Sequence, residues 1–348
     1  MRWIKTLRRD PDILIAQCFN GGLYRVDLSD GTVQHTLKQT PPALWSGHVD
    51  GPGIDLAGDP AEVSRLVRVG TEPDTLRPVF RRERLGTRPE TASYVKRLWR
   101  GRSRRFLGQT DGQVLDASST PFRVLAELGD TIRDIASDAG ERWVFACTED
   151  GRALKLDAED GRVLAEWRSP SGEPLWSLAY TDDGNRLAVA ERRGRLQILD
   201  GTDLSELKAW STTSRPKRMR WLDGVKLAHV QTKTLNVFDY DHGISTIWVE
   251  DCGNTIEDFT WDDGRRYLAV VGYRTEIAVC DFASGRKSLR SARPGRLHQG
   301  CRLGTLGRGR GSTLSLRLHD VRALGHGSPV PRPQRTLRRP RPGRRDAR

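Results

Sequence analysis

The stretch Thr131–Trp167 reads TIRDIASDAGERWVFACTEDGRALKLDAEDGRVLAEW, and the rest of the chain repeats its pattern. Apolar and polar residues alternate in four short runs, which Asp-Ala-Gly and two Glu-Asp-Gly triplets separate. Period-two alternation between glycine turns is typical of antiparallel strands joined by hairpins. Glycine is expected to supply the positive φ that these hairpins need. One such sheet of about 40 residues cannot cover both its faces, so it requires neighbours of its own kind.

An aspartate closes the third strand of each repeat. Asp116, Asp157, Asp200, Asp239 and Asp281 follow one another at separations of 41, 43, 39 and 42 residues. Four strands in a period of about 40 to 45 residues are typical of propeller blades. Asp27, the next mark toward the N-terminus, precedes Asp116 by 89 residues, which leaves room for one more unit. The sequence predicts an all-β propeller over residues 1–290 with seven four-stranded blades.

The first two predicted units lie at the N-terminal end of the chain. The first is predicted to begin with a strand over Ile4–Leu7. The second, about residues 38–90, contains Pro41, Pro42, Pro52, Pro60, Pro73, Pro78 and Pro89. Because proline removes a donor from the hydrogen-bond ladder, this blade is predicted to be irregular or looped, with Leu66–Val69 as its firmest strand.

The net charge of +13 is concentrated at the C-terminal end. From Arg290 onward there are 16 Arg, no Lys and only two acidic residues, whereas residues 1–289 hold 42 basic and 43 acidic residues. A nearly neutral body argues against a propeller face built as a general nucleic-acid clamp.

Residues 291–348 are predicted to be an Arg/Gly/Pro-rich tail outside the propeller, because this composition buries too little apolar surface to order itself. One interpretation is a disordered arm that binds nucleic acid through phosphate contacts. Another is a shift of the coding frame near residue 290, after which the sequence is not native. Leu314–Asp320 keeps an eighth, partial blade open, since Asp320 follows Asp281 by 39 residues.

Cysteine usage favours a reducing compartment, and we therefore expect a cytoplasmic protein. The five cysteines are scattered and form no Cys-x-x-Cys pair. Cys18, Cys147 and Cys280 fall in predicted strands, where a thiol acts as a small apolar core residue. The N-terminal residues lack the apolar stretch of a secretory signal, and no apolar run is long enough for a membrane span.

The dipeptides that close the third strands resemble those of WD-repeat propellers: Val26-Asp27, Leu156-Asp157, Leu199-Asp200, Phe238-Asp239 and Cys280-Asp281. The segment Leu175–Ala190, LWSLAYTDDGNRLAVA, is similar to the first two strands of that repeat. None of the dipeptides contains Trp, and units three to seven lack the usual opening Gly-His, so the resemblance implies a divergent member. Asp150–Trp167 resembles, less closely, a quinoprotein-like repeat, a family that can hold a redox cofactor with calcium.

Several residue pairs invite a chemical interpretation but fit the repeat better. Asp182-Asp183 and Asp262-Asp263 could act as general acid and base, yet each pair precedes glycine in the same hairpin and is expected to be turn structure. Trp167, Trp210 and Trp248 close three successive fourth strands, where packing between sheets is expected rather than a ligand rim. The histidines form no metal-ligand spacing. We therefore predict no catalytic, cofactor or metal residues.

The function predicted is a non-catalytic scaffold that binds a protein partner through its loops. In the family it resembles, partners dock on the face made by the second-to-third-strand turns and the fourth-to-first-strand loops. Here those turns contain the predicted partner-binding residues Glu149, Asp150, Arg192, Arg193, Lys233, Tyr273 and Arg274. The alternatives are a propeller enzyme of lactonase or quinoprotein type, and nucleic-acid association through the Arg-rich tail. No membrane association is expected, and the oligomeric state stays open.

Overall fold

The structure is a computed structural model that is all-β in the ranges it describes. Those ranges are residues 2–4, 13–17, 23–27, 33–37, 44–50, 53–58, 62–71, 78–87, 93–212, 214–250, 255–262, 264–272 and 277–291. Before residue 93, side chains are described only for Val26, Asp55, Ala57 and Leu85. Cys18, Cys252, Cys301 and residues 292–348 therefore lie outside the described residues, whereas Ser291, predicted as the first residue of the tail, is the last residue of a strand.

The described strands form four-stranded antiparallel sheets, numbered one to seven here in chain order. Sheets one to three consist of β1 Arg2–Ile4, β2 Ile13–Gln17, β3 Leu23–Asp27, β4 Val33–Leu37, β5 Leu44–Asp50, β6 Gly53–Gly58, β7 Glu62–Thr71, β8 Pro78–Thr87, β9 Val95–Arg100, β10 Arg105–Gln109, β11 Gln113–Asp116 and β12 Arg123–Glu127. Sheets four and five consist of β13 Ile132–Ser137, β14 Trp143–Thr148, β15 Arg152–Asp157, β16 Val163–Arg168, β17 Leu175–Thr181, β18 Arg186–Glu191, β19 Arg195–Asp200 and β20 Glu206–Ser211. Sheets six and seven consist of β21 Pro216–Trp221, β22 Lys226–Gln231, β23 Thr234–Asp239, β24 Ile244–Val249, β25 Ile256–Trp261, β26 Tyr267–Gly272, β27 Ile277–Asp281 and β28 Lys287–Ser291.

The first strand of each sheet forms the inner row of the fold. Within every sheet the four strands pair in chain order. The first strands also contact one another from sheet to sheet, β5 beside β1 and β9, and then β9, β13, β17, β21 and β25 in succession. Successive sheets therefore pack side by side, with each fourth strand farthest from this inner row.

The core lies between neighbouring sheets, because each sheet covers the apolar face of the next. Phe145 and Cys147 of sheet four, for example, pack in one cluster with Leu175 and Leu187 of sheet five. The fourth-strand tryptophans also pack between neighbouring sheets. Trp210 stacks on Phe238 of sheet six with ring centroids 3.6 Å apart. Trp248 donates from Nε1 to the Phe282 carbonyl of sheet seven at 2.9 Å, and Trp167 packs against the cluster between sheets four and five.

The repeated aspartates terminate their strands by capping the turn that follows. Each Oδ1 accepts a hydrogen bond from a backbone N–H two or three residues ahead. The donors are Ser118 N to Asp116, Glu159 N to Asp157, Thr202 N to Asp200, His242 N to Asp239 and Ser284 N to Asp281. The even spacing in the sequence thus marks five equivalent third-to-fourth-strand turns, as predicted.

The second unit was predicted to be irregular or looped, and the looped alternative was wrong. Four strands, β5 to β8, form a complete sheet there. Most of its prolines fall between the strands, and Pro78 is the first residue of β8, a position that needs no ladder donor. The pairing of the two longest strands, β7 and β8, contains two register shifts, between Val63 and Ser64 and between Arg68 and Gly70.

Other local expectations also needed correction. The first strand covers Arg2–Ile4, whereas Ile4–Leu7 was expected, and most of that segment lies outside the described residues. In the first hairpin of the quoted repeat, positive φ is found at Glu141, at 57°, and not at Gly140. The cost of this conformation is offset because the Glu141 carboxylate accepts a hydrogen bond from Ser103 N, at 3.0 Å, in the preceding sheet. Gly151 and Gly161 do have positive φ, as predicted.

Candidate functional site

The five predicted partner-binding residues that the structure describes lie on one face of the fold, called the loop face here. It consists of the second-to-third-strand turns and the loops that lead into the next first strand. Backbone hydrogen bonds join each turn to the loops beside it, from Arg192 N to Pro174 O at 2.8 Å and from Thr212 N to Gly194 O at 2.7 Å. The 192–194 turn is thereby held between the loops before and after sheet five.

Glu149 and Asp150 are held by contacts within sheet four. Glu149 forms an ion pair with Arg133 of β13. Asp150 accepts from Arg152 Nε at 2.7 Å and also from Thr148 Oγ1. Both carboxylates are partly exposed, so they are oriented by neighbours and still reach solvent.

Arg192, Arg193 and Lys233 are exposed. Arg193 forms an ion pair with Glu173 at 3.0 Å, while its side chain remains 83% exposed. Neither Arg192 nor Lys233 has a carboxylate partner among the described residues. Tyr273 and Arg274, the other two predicted residues, lie outside the described part of the chain.

A repeated β-bulge places further side chains beside this face. In sheets two to seven the second residue of the first strand is skipped in the pairing with the second strand, and in sheet six the third residue, Arg218, is skipped as well. A bulge redirects the side chain of the extra residue. The skipped second residues with described side chains are all half-buried, namely Lys96, Arg133, Trp176, Lys217 and Glu257. They were missed at the sequence level, although one signal was present: in these five units a charged or aromatic residue follows the first apolar residue of the first strand.

Trp176 is the centre of a cation–π cluster at this position. The Arg133 Cζ atom lies 4.4 Å from the indole centroid, and the Arg215 Cζ atom lies 4.5 Å from it. Arg133 comes from sheet four, Trp176 from sheet five, and Arg215 from the loop before sheet six. One ring therefore joins side chains from three consecutive units. On the next first strands, Lys217 and Glu257 form an ion pair.

Buried polar contacts fix the loops below this cluster. Glu191 is buried, and its carboxylate accepts from Ser169 Oγ at 2.7 Å, Ser171 Oγ at 2.9 Å and Gln197 Nε2 at 2.9 Å. Two of these donors belong to the loop that leads into Trp176. Because a charge with several fully formed hydrogen bonds restrains its partners, this loop has a fixed shape.

Asp134 connects three sheets just behind the bulge. Its Oδ1 accepts from Arg97 Nε of sheet three at 3.0 Å. Its Oδ2 accepts from Ser177 Oγ at 3.0 Å and from Leu178 N at 3.3 Å, both in sheet five. The first strands that support the loop face are therefore held together by one carboxylate.

The residues considered for catalysis serve the fold on the opposite face. Asp262 Oδ1 accepts from Arg266 N at 2.8 Å and Tyr267 N at 2.6 Å within its own turn. Asp182 and Asp183 accept from Ala139 N and Gly224 N, in the equivalent turns of the two adjacent sheets. These three side chains are turn residues, as predicted, and Asp263 lies outside the described residues.

Apart from the loop face, the described ranges contain two buried cysteines and a surface groove. Cys147 and Cys280 are buried, and burial raises the pKa of the Cys147 thiol well above its ordinary value. Within those ranges, no three His, Cys, Asp or Glu side chains gather as metal ligands would. In the same ranges no helix is long and apolar enough to cross a bilayer. A groove of about 660 Å³ lies at the outer strand β24, where Ile244 and Ile247 are exposed.

Solved structures share this architecture. The chain is similar to Chaetomium thermophilum Sqt1, solved bound to the N-terminus of the ribosomal protein L10, with 13% identity over 83% of this chain and 86% of that one, at a TM-score of 0.61. It is also similar to the β-propeller domain of Myceliophteria thermophila Cps50 (Swd1), with 16% identity over 79% and 94% of the two chains and a TM-score of 0.61. A chain of the mitotic checkpoint complex matches at 14% identity over 68% and 75%, with a TM-score of 0.55. No protein-family model and no curated protein matches this chain in sequence.

These neighbours are WD40 β-propeller proteins. The chain therefore has a β-propeller fold, which is consistent with the resemblance of its closing dipeptides to those of WD-repeat propellers.

Proposed function

We propose that this chain is a closed, seven-bladed propeller that acts as a non-catalytic scaffold and binds a protein partner through its loop face. Closure is supported by the position of β25, which lies beside β1. Seven four-stranded sheets among the described residues support the blade number. A closed ring covers the flanks of all its sheets, which a single four-stranded unit cannot do.

One observation supports the binding role most directly: the loop face presents charged side chains that the fold does not use. Arg192 and Lys233 are exposed and have no carboxylate partner among the described residues. They project from turns whose backbones are fixed by hydrogen bonds to adjacent loops. Arginine on a rigid support is well suited to anchor a protein partner, because little conformational freedom is lost on binding.

The structural neighbours lend support of a coarser kind. Sqt1 was solved with a segment of another protein bound, and the checkpoint chain belongs to a complex. Protein binding is thus compatible with this architecture.

We further propose that the protein acts in a reducing compartment such as the cytoplasm. The two described cysteines, Cys147 and Cys280, are fully buried in the apolar cores of separate sheets. Thiols that serve as apolar core residues suit a reducing environment. Fractionation of the source cell with an antibody against the protein would test this, and recovery from the secreted fraction would contradict it.

The binding role can be tested by affinity purification with matched variants. The variant Arg192→Ala/Arg193→Ala/Arg274→Ala is compared with wild type and with Arg162→Ala, which changes an exposed arginine in a third-to-fourth-strand turn on the opposite face. We expect wild type and Arg162→Ala to recover the same partner and the triple variant to lose it, at an unchanged melting temperature. Equal recovery by all three would refute the loop face as the binding surface. Loss on removal of the tail alone, together with loss on nuclease treatment, would favour nucleic-acid binding. Lactone hydrolysis or a bound quinone would favour the enzyme.

A further inference from the structure

We propose that the loop face recognises an acidic peptide segment, whose carboxylates bind a cationic cluster composed of Arg133, Trp176, Arg192, Arg193 and Arg215. This inference rests on the proposed function and adds the chemistry of the partner. The ligand is an extended segment rich in Asp or Glu. Its main anchor is the Arg215 guanidinium.

The side chain of Arg215 is restricted in position, yet its guanidinium remains available to bind a carboxylate. Its guanidinium lies over the Trp176 ring, which restricts an otherwise flexible side chain. Pro216 follows it directly and is buried at the start of β21, so the backbone at Arg215 is also anchored. No described carboxylate pairs with Arg215. A guanidinium supported by an aromatic face keeps its N–H donors available, and these match the two oxygens of a carboxylate.

The charges around Trp176 are unbalanced in the positive direction. Arg133 pairs with Glu149, and Arg193 pairs with Glu173. The buried Glu191 carboxylate, which accepts from Ser169, Ser171 and Gln197, adds one negative charge. Arg192 and Arg215 have no described carboxylate partner, and Lys233 adds a further unpaired cation in the adjacent turn, so the cations still outnumber the carboxylates. An incoming acidic segment would supply the missing counter-charges, whereas a basic segment would meet repulsion.

The backbone segments that carry the unpaired cations are in contact with one another. The Arg192–Gly194 turn contacts the loop before β21 through Thr212 N to Gly194 O at 2.7 Å and Thr212 Oγ1 to Gly194 O at 2.6 Å. Pro216, next to Arg215, pairs with Gln231, two residues before Lys233. Arg215 therefore lies between the turns that hold Arg192 and Lys233, and the three cations form a row that suits an extended peptide rather than a single small anion.

Fluorescence anisotropy with the full-length chain tests this inference. The probe is a short fluorescein-labelled peptide of alternating Glu and Ser, and the control peptide alternates Lys and Ser. We expect the acidic peptide to bind and the basic one not to bind, with affinity that falls as salt rises. Arg215→Ala is expected to weaken binding by about tenfold, because loss of a well-placed charged anchor has effects of that size.

Two variants make the result specific to this cluster. Trp176→Leu removes the aromatic support and is expected to weaken binding while all the cations remain. Arg162→Ala removes one positive charge on the opposite face and is expected to leave the affinity unchanged. Circular dichroism confirms that each variant is folded, and Arg215→Gln replaces Arg215→Ala if that variant is not. Equal affinity for all variants would overturn the proposal, because the Arg-rich tail, present in each of them, would then account for binding.

Peptide binding and partner recovery, measured on the same variants, distinguish this inference from the proposed function. If Arg215→Ala leaves peptide binding unchanged while Arg192→Ala/Arg193→Ala/Arg274→Ala still loses its protein partner, the acidic-peptide inference fails and the scaffold role stands. If the peptide binds through Arg215 but no partner depends on the loop face, the cluster is real and the scaffold role fails.

Discussion

Gly161 occupies a left-handed conformation, with φ of 77°, in the turn between β15 and β16. It also lies against the preceding sheet, because a Cβ atom placed on it would be 1.7 Å from the Leu125 carbonyl oxygen. Two constraints, backbone conformation and close approach, therefore act on one residue. Gly285 repeats both constraints against Trp248, so this turn is a packing element between sheets and not only a reversal of the chain.

Gly161→Ala is expected to lower the free energy of unfolding by about 3 kcal/mol, since left-handed strain alone costs about 1 kcal/mol and the clash adds to it. The matched control is Gly172→Ala, where φ is 67° and no atom lies within 4 Å of the added Cβ. That variant is expected to lose only about 1 kcal/mol. Urea unfolding followed by circular dichroism measures both, and equal losses would show that close packing contributes nothing.

His229 introduces a pH dependence into the core. The residue is fully buried on β22, and neither ring nitrogen has a hydrogen-bond partner among the residues that the structure describes. Burial lowers the pKa of His229 from 6.5 to about 4. Below pH 6.5 the unfolded chain binds this proton and the folded chain does not, so stability decreases as pH falls from about 6.5 to about 4.

His229→Leu is therefore expected to flatten the acid side of the stability profile. Between pH 7 and pH 5 the wild type should lose about 2 kcal/mol more than the variant, because only its unfolded state gains the proton in that window. Urea unfolding at the two pH values measures the difference. Identical losses in the two proteins would mean that His229 is hydrated or hydrogen-bonded in the folded state.

Asp134 shows how the elements are joined, since its carboxylate holds Arg97 of sheet three and Ser177 of sheet five. Asp134→Ala is expected to lower the free energy of unfolding by about 3 kcal/mol, because a mostly buried arginine would lose its counter-charge. The control is Glu166→Ala, which breaks the exposed Glu166–Arg168 pair within β16 and should cost less than about 1 kcal/mol. Equal losses of unfolding free energy in the two variants would show that the hydrogen bonds of Asp134 between sheets have no special role in stability.

Local sequence rules predicted the elements well where the determining contact is local. The third-strand aspartates cap turns only two or three residues away, so their spacing indicates the repeat directly. The prolines of the second unit led to a wrong prediction, because the effect of a proline depends on whether it lies inside a strand or at its start. Pro78 interrupts nothing as the first residue of β8, and the sequence does not say which backbone N–H groups face a neighbour.

The site was only partly predictable for the same physical reason. Arg192, Arg193 and Lys233 were found because they lie in turns, and turns are visible as breaks in the alternation. Arg133 and Trp176 were missed because they lie inside strands, where their orientation depends on a bulge formed with the next strand. Arg215 was missed because its contact with Trp176 joins units that are distant in sequence.

At the scale of the whole molecule, residues 292–348 are predicted to be dispensable for the stability of the propeller. The compositional change near Arg290 motivates this, and β28 ends at Ser291. A chain that ends at Ser291 should melt within about 2 °C of the full-length chain, since no sheet would lose a strand. Differential scanning calorimetry measures the shift. A large loss of stability would instead support an eighth blade or closure through Leu314–Asp320.

The scaffold role is tested most directly by hydrogen–deuterium exchange of the chain alone and in complex with the partner that wild type and Arg162→Ala both recover. We predict that binding slows exchange at residues 149–151, 192–194 and 214–215 and in the 232–233 turn. The opposite turns, at 158–162, 201–204 and 240–243, should exchange at unchanged rates. Protection of those opposite turns, or of the outer strands around Ile244 and Ile247, with no change at Arg192–Gly194, would contradict the loop face as the binding surface.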